Sequence, residues 1–200
     1  MNDIHPQSPY SLPPVLTRFL HNFGRVQLVF IALGVAWLAI TAFTAQPAQS
    51  APIQLAQKGF MAPDFSLLDT AGQETSLADF KGQAVILNFW ATWCPPCKAE
   101  MPDLQKAHTL QKEQGLVIIG INRTDQDDPA EAAAFIQNFG LTFPILLDPT
   151  GKVAQAYQVS ALPTTIFIRP DGIIHKVIVG GPLPQALLLA EFQQMQQGVP

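Results

Sequence analysis

Two cysteines three residues apart, in the sequence Cys94-Pro95-Pro96-Cys97, constrain the fold of this chain more than any other feature. They are the only cysteines in the sequence, and they lie where one structural pattern gives way to another. Before them, residues 84–90 form a short apolar, aromatic and β-branched run that is typical of a strand buried on both faces. After them, the pattern predicts a helix from about Pro95 to Gln114, with Gly115 as its C-terminal stop.

The placement of the pair predicts redox chemistry. Cysteines at positions i and i+3 of a first helical turn bring their sulfurs within bonding distance. Cys94 lies at the helix N-terminus, where free N–H groups and the helix dipole favour the thiolate, the species that attacks a disulfide. Cys97 lies one turn further in and is more shielded, so we expect it to resolve the mixed disulfide.

Two other roles for the pair have less support. A structural disulfide more often joins distant segments, because closing so short a loop removes little entropy from the unfolded chain. A zinc site would need further ligands, and the histidines are dispersed without paired metal spacing. They are His5, His21, His108 and His175. We therefore expect neither a metal nor another cofactor.

Strand and helix patterns alternate along the rest of the chain. Asp128-Pro129-Ala130-Glu131 predicts a helix start, because it combines a capping Asp, a Pro at the first helical position and a Glu three residues after the cap. The alternation predicts an α/β fold with a mixed central sheet and helices on both faces. The other predicted elements are a hairpin of residues 65–68 and 74–77, strands over 116–121, 143–147, 164–168 and 173–179, and a last helix over about 184–197.

A second feature lies near the N-terminus, where residues 26–43 form an uncharged apolar segment. At about 1.5 Å per residue this segment reaches about 27 Å as a helix, close to the thickness of the hydrocarbon core of a bilayer. A buried core helix and a cleaved signal peptide are the alternatives, but the long leader favours an uncleaved anchor. Arg18 and Arg25 precede the segment and no Lys or Arg follows until Lys58, which predicts a cytoplasmic N-terminus and an extracytoplasmic domain.

The surrounding sequence predicts the domain layout. Residues 1–25 are Pro-rich and weakly charged, as expected for a short cytoplasmic tail. Residues 26–45 would form the membrane anchor or signal peptide, and the small, polar residues 46–59 a linker. Residues 60–200 would hold the globular domain. The net charge is −4 and the basic residues are scattered, so nucleic acid is not an expected partner.

Three motifs carry a resemblance to a known family. They are Asn88-Phe-Trp-Ala-Thr-Trp-Cys-Pro-Pro-Cys-Lys-Ala-Glu-Met-Pro102, Leu162-Pro-Thr-Thr165 and Arg169-Pro-Asp-Gly172. With them, residues 61–197 resemble the TlpA/ResA-like, membrane-anchored branch of the thioredoxin superfamily. The resemblance implies a thioredoxin fold with an N-terminal hairpin and a central strand–helix insertion at residues 116–139, preceded by one transmembrane helix.

The resemblance also implies roles for particular residues. Pro163 would be a cis proline that faces the cysteine pair and holds the neighbouring backbone ready to pair with substrate. An ordinary strand-edge proline is the alternative for Pro163, and an ordinary core aromatic is the alternative for Trp90. The residues implied to bind substrate are Trp93, Pro95, Pro96, Leu162 and Pro163.

A third implied catalytic residue is Glu100. Thioredoxin has a buried Asp on the strand before its motif, where it assists proton transfer to the resolving cysteine, but this chain has Asn88 there, which cannot titrate. The TlpA/ResA-like branch instead carries a Glu three residues after the second cysteine. Helical spacing puts Glu100 on the same face as Cys97, so we expect it to handle the proton of that thiol. A solvated surface carboxylate is the alternative.

The resemblance implies an extracytoplasmic enzyme that exchanges disulfides with protein thiol or disulfide substrates, acting as a reductase. The family's usual clients are apocytochrome c haem-binding cysteines or other exported proteins, and electrons would come from a membrane thiol carrier of the DsbD/CcdA kind. A DsbA-type oxidant would normally carry a large helical insertion and a CPHC-like motif. A peroxiredoxin would place Thr or Ser where this chain has Ala91. A non-catalytic binding module would have no need of both cysteines and Pro163.

Overall fold

The computed structural model describes Ile31, residues 33–37 and residues 56–197. The chain divides into two units, Met1–Ala51 and Pro52–Pro200, and the described residues of the first unit are helical. The predicted tail, and most of the predicted anchor and linker, lie outside the described residues. Among the residues that are described, no helix is both long and apolar enough to cross a membrane.

A seven-stranded mixed sheet forms the centre of the second unit. Its strands are β1 (Ser66–Asp69), β2 (Glu74–Ser76), β3 (Ala84–Trp90), β4 (Leu116–Asn122), β5 (Ile145–Leu147), β6 (Thr164–Ile168) and β7 (Ile174–Val179). They lie in the order β2-β1-β5-β4-β3-β6-β7. β3, β4 and β5 run parallel, whereas β6 pairs with β3 in the antiparallel direction. β1 and β2 form the predicted N-terminal hairpin.

Helices cover both faces of this sheet. They are α1 (Pro95–Gln111), α2 (Pro129–Phe139), α3 (Lys152–Ala156) and α4 (Gln185–Gln197), with short 3-10 helices at Leu77–Phe80 and Lys112–Gln114. Side chains of α1, α2 and α4 pack into one core, and those of α3 pack into a second core on the opposite face. The predicted architecture, a mixed sheet between helices, is therefore confirmed.

Side chains along β3 alternate between the two cores. Ile86 and Trp90 contribute to the core beneath α1, and Leu87 and Phe89 contribute to the other. Because strand side chains alternate with a period of two, Asn88 lies on the same face as Ile86 and Trp90. The polar residue in this apolar strand is therefore directed towards the helix that carries the cysteines.

Several boundaries differ from the predictions. α1 ends at Gln111, and the chain continues as a 3-10 turn to Gly115, whose φ of +88° ends the segment. The strand expected over 143–147 begins only at Ile145, after Pro144, which has no N–H to donate to a ladder. α3 was not predicted.

The end of the predicted linker packs with the folded unit. Ala56 is buried, and the Gly59 N–H donates to the Ile174 carbonyl oxygen at 2.8 Å. Residues 56–59 therefore belong to the folded unit.

Candidate redox active site

The cysteine pair lies where β3 ends and α1 begins. Cys94 is the N-cap residue of α1, and Cys97 lies in its first turn. The two sulfurs are bonded, and the Cα atoms are 5.3 Å apart. Cys94 is 3% exposed and Cys97 is 0% exposed. Both residues are buried, and Cys94 is the slightly more exposed of the two, so the attacking role of Cys94 and the resolving role of Cys97 stay predictions.

Few backbone donors surround Cys94, because two prolines follow it. At a helix N-terminus the first N–H groups lack intrahelical partners and can stabilise an anion. Pro95 and Pro96 have no N–H, so the first available donor is the backbone N–H of Cys97, whose nitrogen lies 3.3 Å from Cys94 Sγ. The N–H of Lys98 donates to the carbonyl oxygen of Cys94 instead. A thiolate at Cys94 would therefore have one backbone hydrogen bond and the helix dipole.

Asp127 holds the loop that precedes Cys94. Its carboxylate accepts hydrogen bonds from the backbone N–H of Thr92 at 2.7 Å and from Thr92 Oγ1 at 2.5 Å. The same carboxylate accepts a hydrogen bond from Asn122 Nδ2 at 2.8 Å. The loop between β3 and α1 is thus fastened to the segment between β4 and α2. Sequence reasoning missed Asp127, which stands next to the helix-capping Asp128 and has no motif of its own.

The two tryptophans beside the motif have different environments. Trp93 is 54% exposed, and its Nε1 donates to the Gln126 carbonyl oxygen at 2.9 Å. Trp90 is fully buried, with its ring centroid 4.7 Å from that of Phe135. Trp93 is therefore placed to contact a partner, whereas Trp90 is a core aromatic. Trp93 also borders an open groove of about 340 Å³, which is lined by Thr92, Trp93, Lys98, Glu131, Ala134, Phe135 and Asn138.

Pro163 lies beside the end of β3 that leads into the motif. It precedes Thr164, which pairs with Phe89, and the Leu162–Pro163 peptide bond is cis, as expected. The carbonyl oxygen of Pro163 accepts a hydrogen bond from the Gly180 N–H at 2.7 Å. Pro163 is buried and Leu162 is half-buried. The structure thus brings the predicted substrate-binding loop next to the cysteine pair, and the role of these residues stays a prediction.

Glu100 lies one helical turn after Cys97 and is 0% exposed. Its Oε1 accepts a hydrogen bond from Asn88 Nδ2 at 2.7 Å, and its Oε2 accepts one from the Leu183 N–H at 3.0 Å. Burial raises the pKa of Glu100 above its ordinary value, and the two hydrogen bonds oppose that rise without cancelling it. The expected partial desolvation is therefore present, and a solvated surface carboxylate is not what the structure shows.

Asn88 has a larger part in the site than sequence reasoning gave it. Besides Glu100, its Nδ2 donates to Thr165 Oγ1 at 3.0 Å, across the β3–β6 register that pairs the two residues. Its Oδ1 is buried without a hydrogen-bond partner. Asn88 cannot titrate, but its side chain contacts the buried carboxylate of Glu100.

Gly181 lies directly against Glu100 and Pro163. A Cβ placed on this exposed residue would lie 2.5 Å from Glu100 Oε2 and 2.8 Å from Pro163 Cγ. Real Cβ atoms do not make contacts this short, so the segment can pass over Glu100 and Pro163 only because residue 181 lacks a side chain. Within residues 31, 33–37 and 56–197, no cluster of His, Cys, Asp or Glu is arranged to hold a metal ion.

A CxxC pair at the N-terminus of a helix, beside a cis proline and above a buried glutamate, defines the class of thioredoxin-fold thiol–disulfide oxidoreductases. The model of the AhpC/TSA family matches residues 59–177, and the chain belongs to that family. Within it, the chain is a thiol–disulfide oxidoreductase of the ResA type.

Two curated relatives carry that name. The chain is 38% identical over 154 residues to thiol-disulfide oxidoreductase ResA of Bacillus subtilis (strain 168), covering 76% of this chain and 85% of that protein. It is 43% identical over 122 residues to the ResA of Geobacillus kaustophilus, covering 61% of this chain and 69% of the relative.

Solved structures show the same similarity. A thiol:disulfide interchange protein of the thioredoxin family from Chlorobium tepidum aligns with a TM-score of 0.64 at 28% identity, covering 70% of this chain and 97% of that one. StoA from Bacillus subtilis aligns with a TM-score of 0.57 at 30% identity, covering 64% of this chain and 96% of that one.

Proposed function

We propose that this chain is an extracytoplasmic reductase, held at the membrane by residues 26–45, that passes electrons from its cysteine pair to disulfides of exported proteins. Apocytochrome c haem-binding cysteines are the proposed clients. A membrane thiol carrier of the DsbD/CcdA kind is the proposed electron donor. The apolar segment, and the Arg residues that precede it, support the location.

The observation that carries the direction of electron flow is the poor stabilisation of a thiolate at Cys94. A pair is a strong oxidant when its reduced form is stabilised. Here Pro95 and Pro96 remove two backbone donors at the helix N-terminus, and only the Cys97 N–H reaches Cys94 Sγ. Within residues 56–197, Cys94 Sγ has no hydrogen bond from a charged side chain. A less stabilised thiolate favours the oxidised pair, and hence the donation of electrons.

The proposed reaction is a two-electron thiol–disulfide exchange. The Cys94 thiolate attacks one sulfur of the client disulfide, which forms a mixed disulfide and releases the client's other sulfur as a thiolate. Cys97 then loses its proton and attacks Cys94 Sγ, so the Cys94–Cys97 bond forms and the second client sulfur leaves. The client gains two electrons, one proton that Cys97 releases and one proton from the solvent, and the enzyme is left with the bonded pair seen in the structure.

The reduction potential tests this proposal. We expect equilibration with glutathione to give a potential below about −200 mV, nearer that of thioredoxin than that of DsbA. A potential above that value would make the chain an oxidant. Pro96→Ala returns one N–H to the helix N-terminus, so it should raise the potential. Pro102→Ala is the matched control, because it restores an N–H inside the same helix, away from Cys94, and should leave the potential unchanged.

Client and location need experiments in cells. A Cys97→Ser variant should accumulate mixed disulfides through Cys94, because attack proceeds and resolution does not. Apocytochrome c should be among the captured proteins, and its absence from the adducts would contradict the proposed client. A reporter fused after Pro200 should be active only outside the cytoplasm, and activity inside would contradict the proposed location.

A further inference from the structure

The hydrogen bonds around Glu100 suit only one of its two protonation states. Both carboxylate oxygens accept hydrogen bonds from N–H groups, one from Asn88 Nδ2 and one from the Leu183 backbone. A protonated Glu100 has an O–H that needs an acceptor, and an N–H group cannot supply one. The Leu183 donor belongs to the backbone and is fixed. The Asn88 side chain is the partner that can change.

Asn88 carries the acceptor that the protonated acid lacks. Its Oδ1 is buried and has no hydrogen-bond partner, which is an unfavourable arrangement for a carbonyl oxygen in a protein interior. A half-turn of the amide exchanges Oδ1 and Nδ2, so that Oδ1 faces Glu100 Oε1. The unpartnered position is then occupied by Nδ2. Each orientation leaves one amide atom unpaired, so the protonation state of Glu100 decides between them.

Thr165 serves both orientations. Its Oγ1 lies 3.0 Å from Asn88 Nδ2 and accepts that hydrogen bond. A hydroxyl group both donates and accepts, so the same Oγ1 can donate to Oδ1 after the half-turn. Thr165 is 0% exposed, so bulk solvent does not reach this hydrogen bond.

We propose that Asn88 and Thr165 form a two-way hydrogen-bonding partner for Glu100, in which the Asn88 amide turns when the carboxylate takes up a proton. The inference rests on the thiol–disulfide activity but not on the direction of electron flow. When Cys97 is deprotonated to attack Cys94 Sγ, its proton passes to Glu100 Oε1, and the Asn88 Oδ1 atom accepts the new O–H. When Glu100 gives the proton up, to a leaving client thiolate or to water, the amide turns back. Asn88 is thus a positioning residue that acts through Glu100.

No charged side chain competes for this role. Burial raises the pKa of Glu100, and the hydrogen bonds from Asn88 and from the Leu183 backbone lower it. Thr165 on β6 and the segment 180–183 bring no titratable side chain to it. The titratable groups on the elements packed around it are Cys97, Lys98, Asp103, Lys106 and His108 on α1, His175 and Lys176 on β7, and Glu191 on α4.

Nuclear magnetic resonance of the full chain, labelled at Asn side-chain amides and Glu carboxyl carbons, tests the proposal. The Asn88 amide signals should change with the same pH midpoint as the Glu100 carboxyl carbon, and both amide protons should lose their contacts with Glu100 and Thr165 when the acid is protonated. Asn122 is the matched internal control, because it is a buried amide on the next strand whose Nδ2 donates to Asp127. Asn88 signals that keep the same contacts through the Glu100 titration would overturn the proposal.

Two variants give a second readout. Asn88→Leu keeps the shape and removes both amide atoms, so each protonation state of Glu100 loses one hydrogen bond. The inflection that Glu100 gives to the pH–rate profile should therefore move by less than about half a pH unit, whereas an amide that only donates would leave it about one unit higher when removed. Thr165→Val should move the inflection by less than Asn88→Leu does. Turnover at pH 7 should fall about tenfold in Asn88→Leu. An inflection that moves up by about one unit or more would make Asn88 a one-way donor and overturn the proposal, whereas the reduction potential tests the proposed direction independently.

Discussion

Glu100 and Glu191 are both buried carboxylates, but their partners differ in charge. Glu191, on α4, contacts two basic side chains, with Lys176 Nζ 2.5 Å and His175 Nε2 3.1 Å from its oxygens. Glu100, on α1, contacts only neutral donors, Asn88 and the Leu183 backbone. Glu191 has the Lys176 ammonium to offset its loss of water, whereas Glu100 has no charged partner.

This difference is the one we expect between a structural carboxylate and a carboxylate that exchanges protons. A buried acid that is hydrogen-bonded to basic side chains ties two elements together, as Glu191 ties α4 to β7. A buried acid with neutral partners has its pKa raised, which brings it closer to the pH at which it can exchange a proton. Glu100 also lies one turn from Cys97, whereas Glu191 lies on another helix. Exposure alone would not distinguish the two residues.

The largest expected effect comes from removing Glu100, the group that we propose exchanges the proton. Glu100→Gln should lower disulfide-reductase turnover by roughly ten- to a hundredfold near neutrality, because resolution needs a base for Cys97. Glu191→Gln, the same change at the paired site, should lower turnover less than about twofold. An insulin-reduction assay on equal amounts of folded protein measures both. Equal losses in the two variants would remove the distinction between the residues.

Crowding Glu100 should have the next largest effect. In Gly181→Ala the new Cβ would lie 2.5 Å from Oε2, so Glu100 or Pro163 must move, and we expect turnover to fall about tenfold. Combining Gly181→Ala with Glu100→Gln shows whether the effect passes through the carboxylate. If it does, the double variant should be little worse than Glu100→Gln alone. Fully additive losses would locate the damage at Pro163.

Glu191 should matter for stability instead of turnover. Glu191→Leu leaves its two basic partners without a carboxylate and should lower the free energy of unfolding by about 1–2 kcal/mol. This cost is smaller than the usual cost of breaking a fully buried pair, because the Lys176 side chain is 41% exposed and can turn to water. Lys106→Ala, at an exposed ion pair with Asp103, should cost less than about 0.5 kcal/mol. Urea unfolding of wild type, Glu191→Leu and Lys106→Ala measures these differences. A Glu191→Leu protein as stable as wild type would contradict the structural role of Glu191.

The smallest effect is a pH dependence of stability. Burial raises the pKa of folded Glu100 above 4.5, so between 4.5 and the raised value the folded chain keeps a proton that the unfolded chain has lost. Stability therefore falls as pH rises through this window, and below it Glu100 contributes no pH dependence. Glu100→Gln cannot titrate at this position. The free energy of unfolding of Glu100→Gln, relative to that of wild type, should therefore rise as pH rises above 4.5. Unfolding curves that differ by a constant amount from pH 4 to 8 would contradict a raised pKa.

The strands and helices whose bounds the sequence predicts correctly are marked by residues close together in the sequence. β6 was predicted at its observed bounds because a β-branched run lies between Pro163 and Pro170. α2 begins at Pro129, where the Asp128 side chain accepts from the backbone N–H groups of Ala130 and Glu131. Turn and cap chemistry depends on residues a few positions apart, so the sequence is sufficient to find it.

The partners of Glu100 could be predicted only in part. Alternation along β3 places Asn88 on the face that bears α1, so its contact with Glu100 follows from the sequence once that face is assigned. Thr165 depends on the β3–β6 register, and the Leu183 N–H comes from a segment 83 residues away. These contacts are set by the assembled sheet, and no local pattern encodes them.

Acid quenching during turnover tests the central claim, that Glu100 takes the proton which Cys97 must lose, most directly. The enzyme is stopped within the first cycle, alkylated and mapped by mass spectrometry, so that the mixed disulfide with the client is counted. The account predicts that Glu100→Gln accumulates this adduct through Cys94, while wild type and Glu191→Gln do not, because attack continues and resolution is slow. Adduct levels in Glu100→Gln no higher than in Glu191→Gln would contradict it.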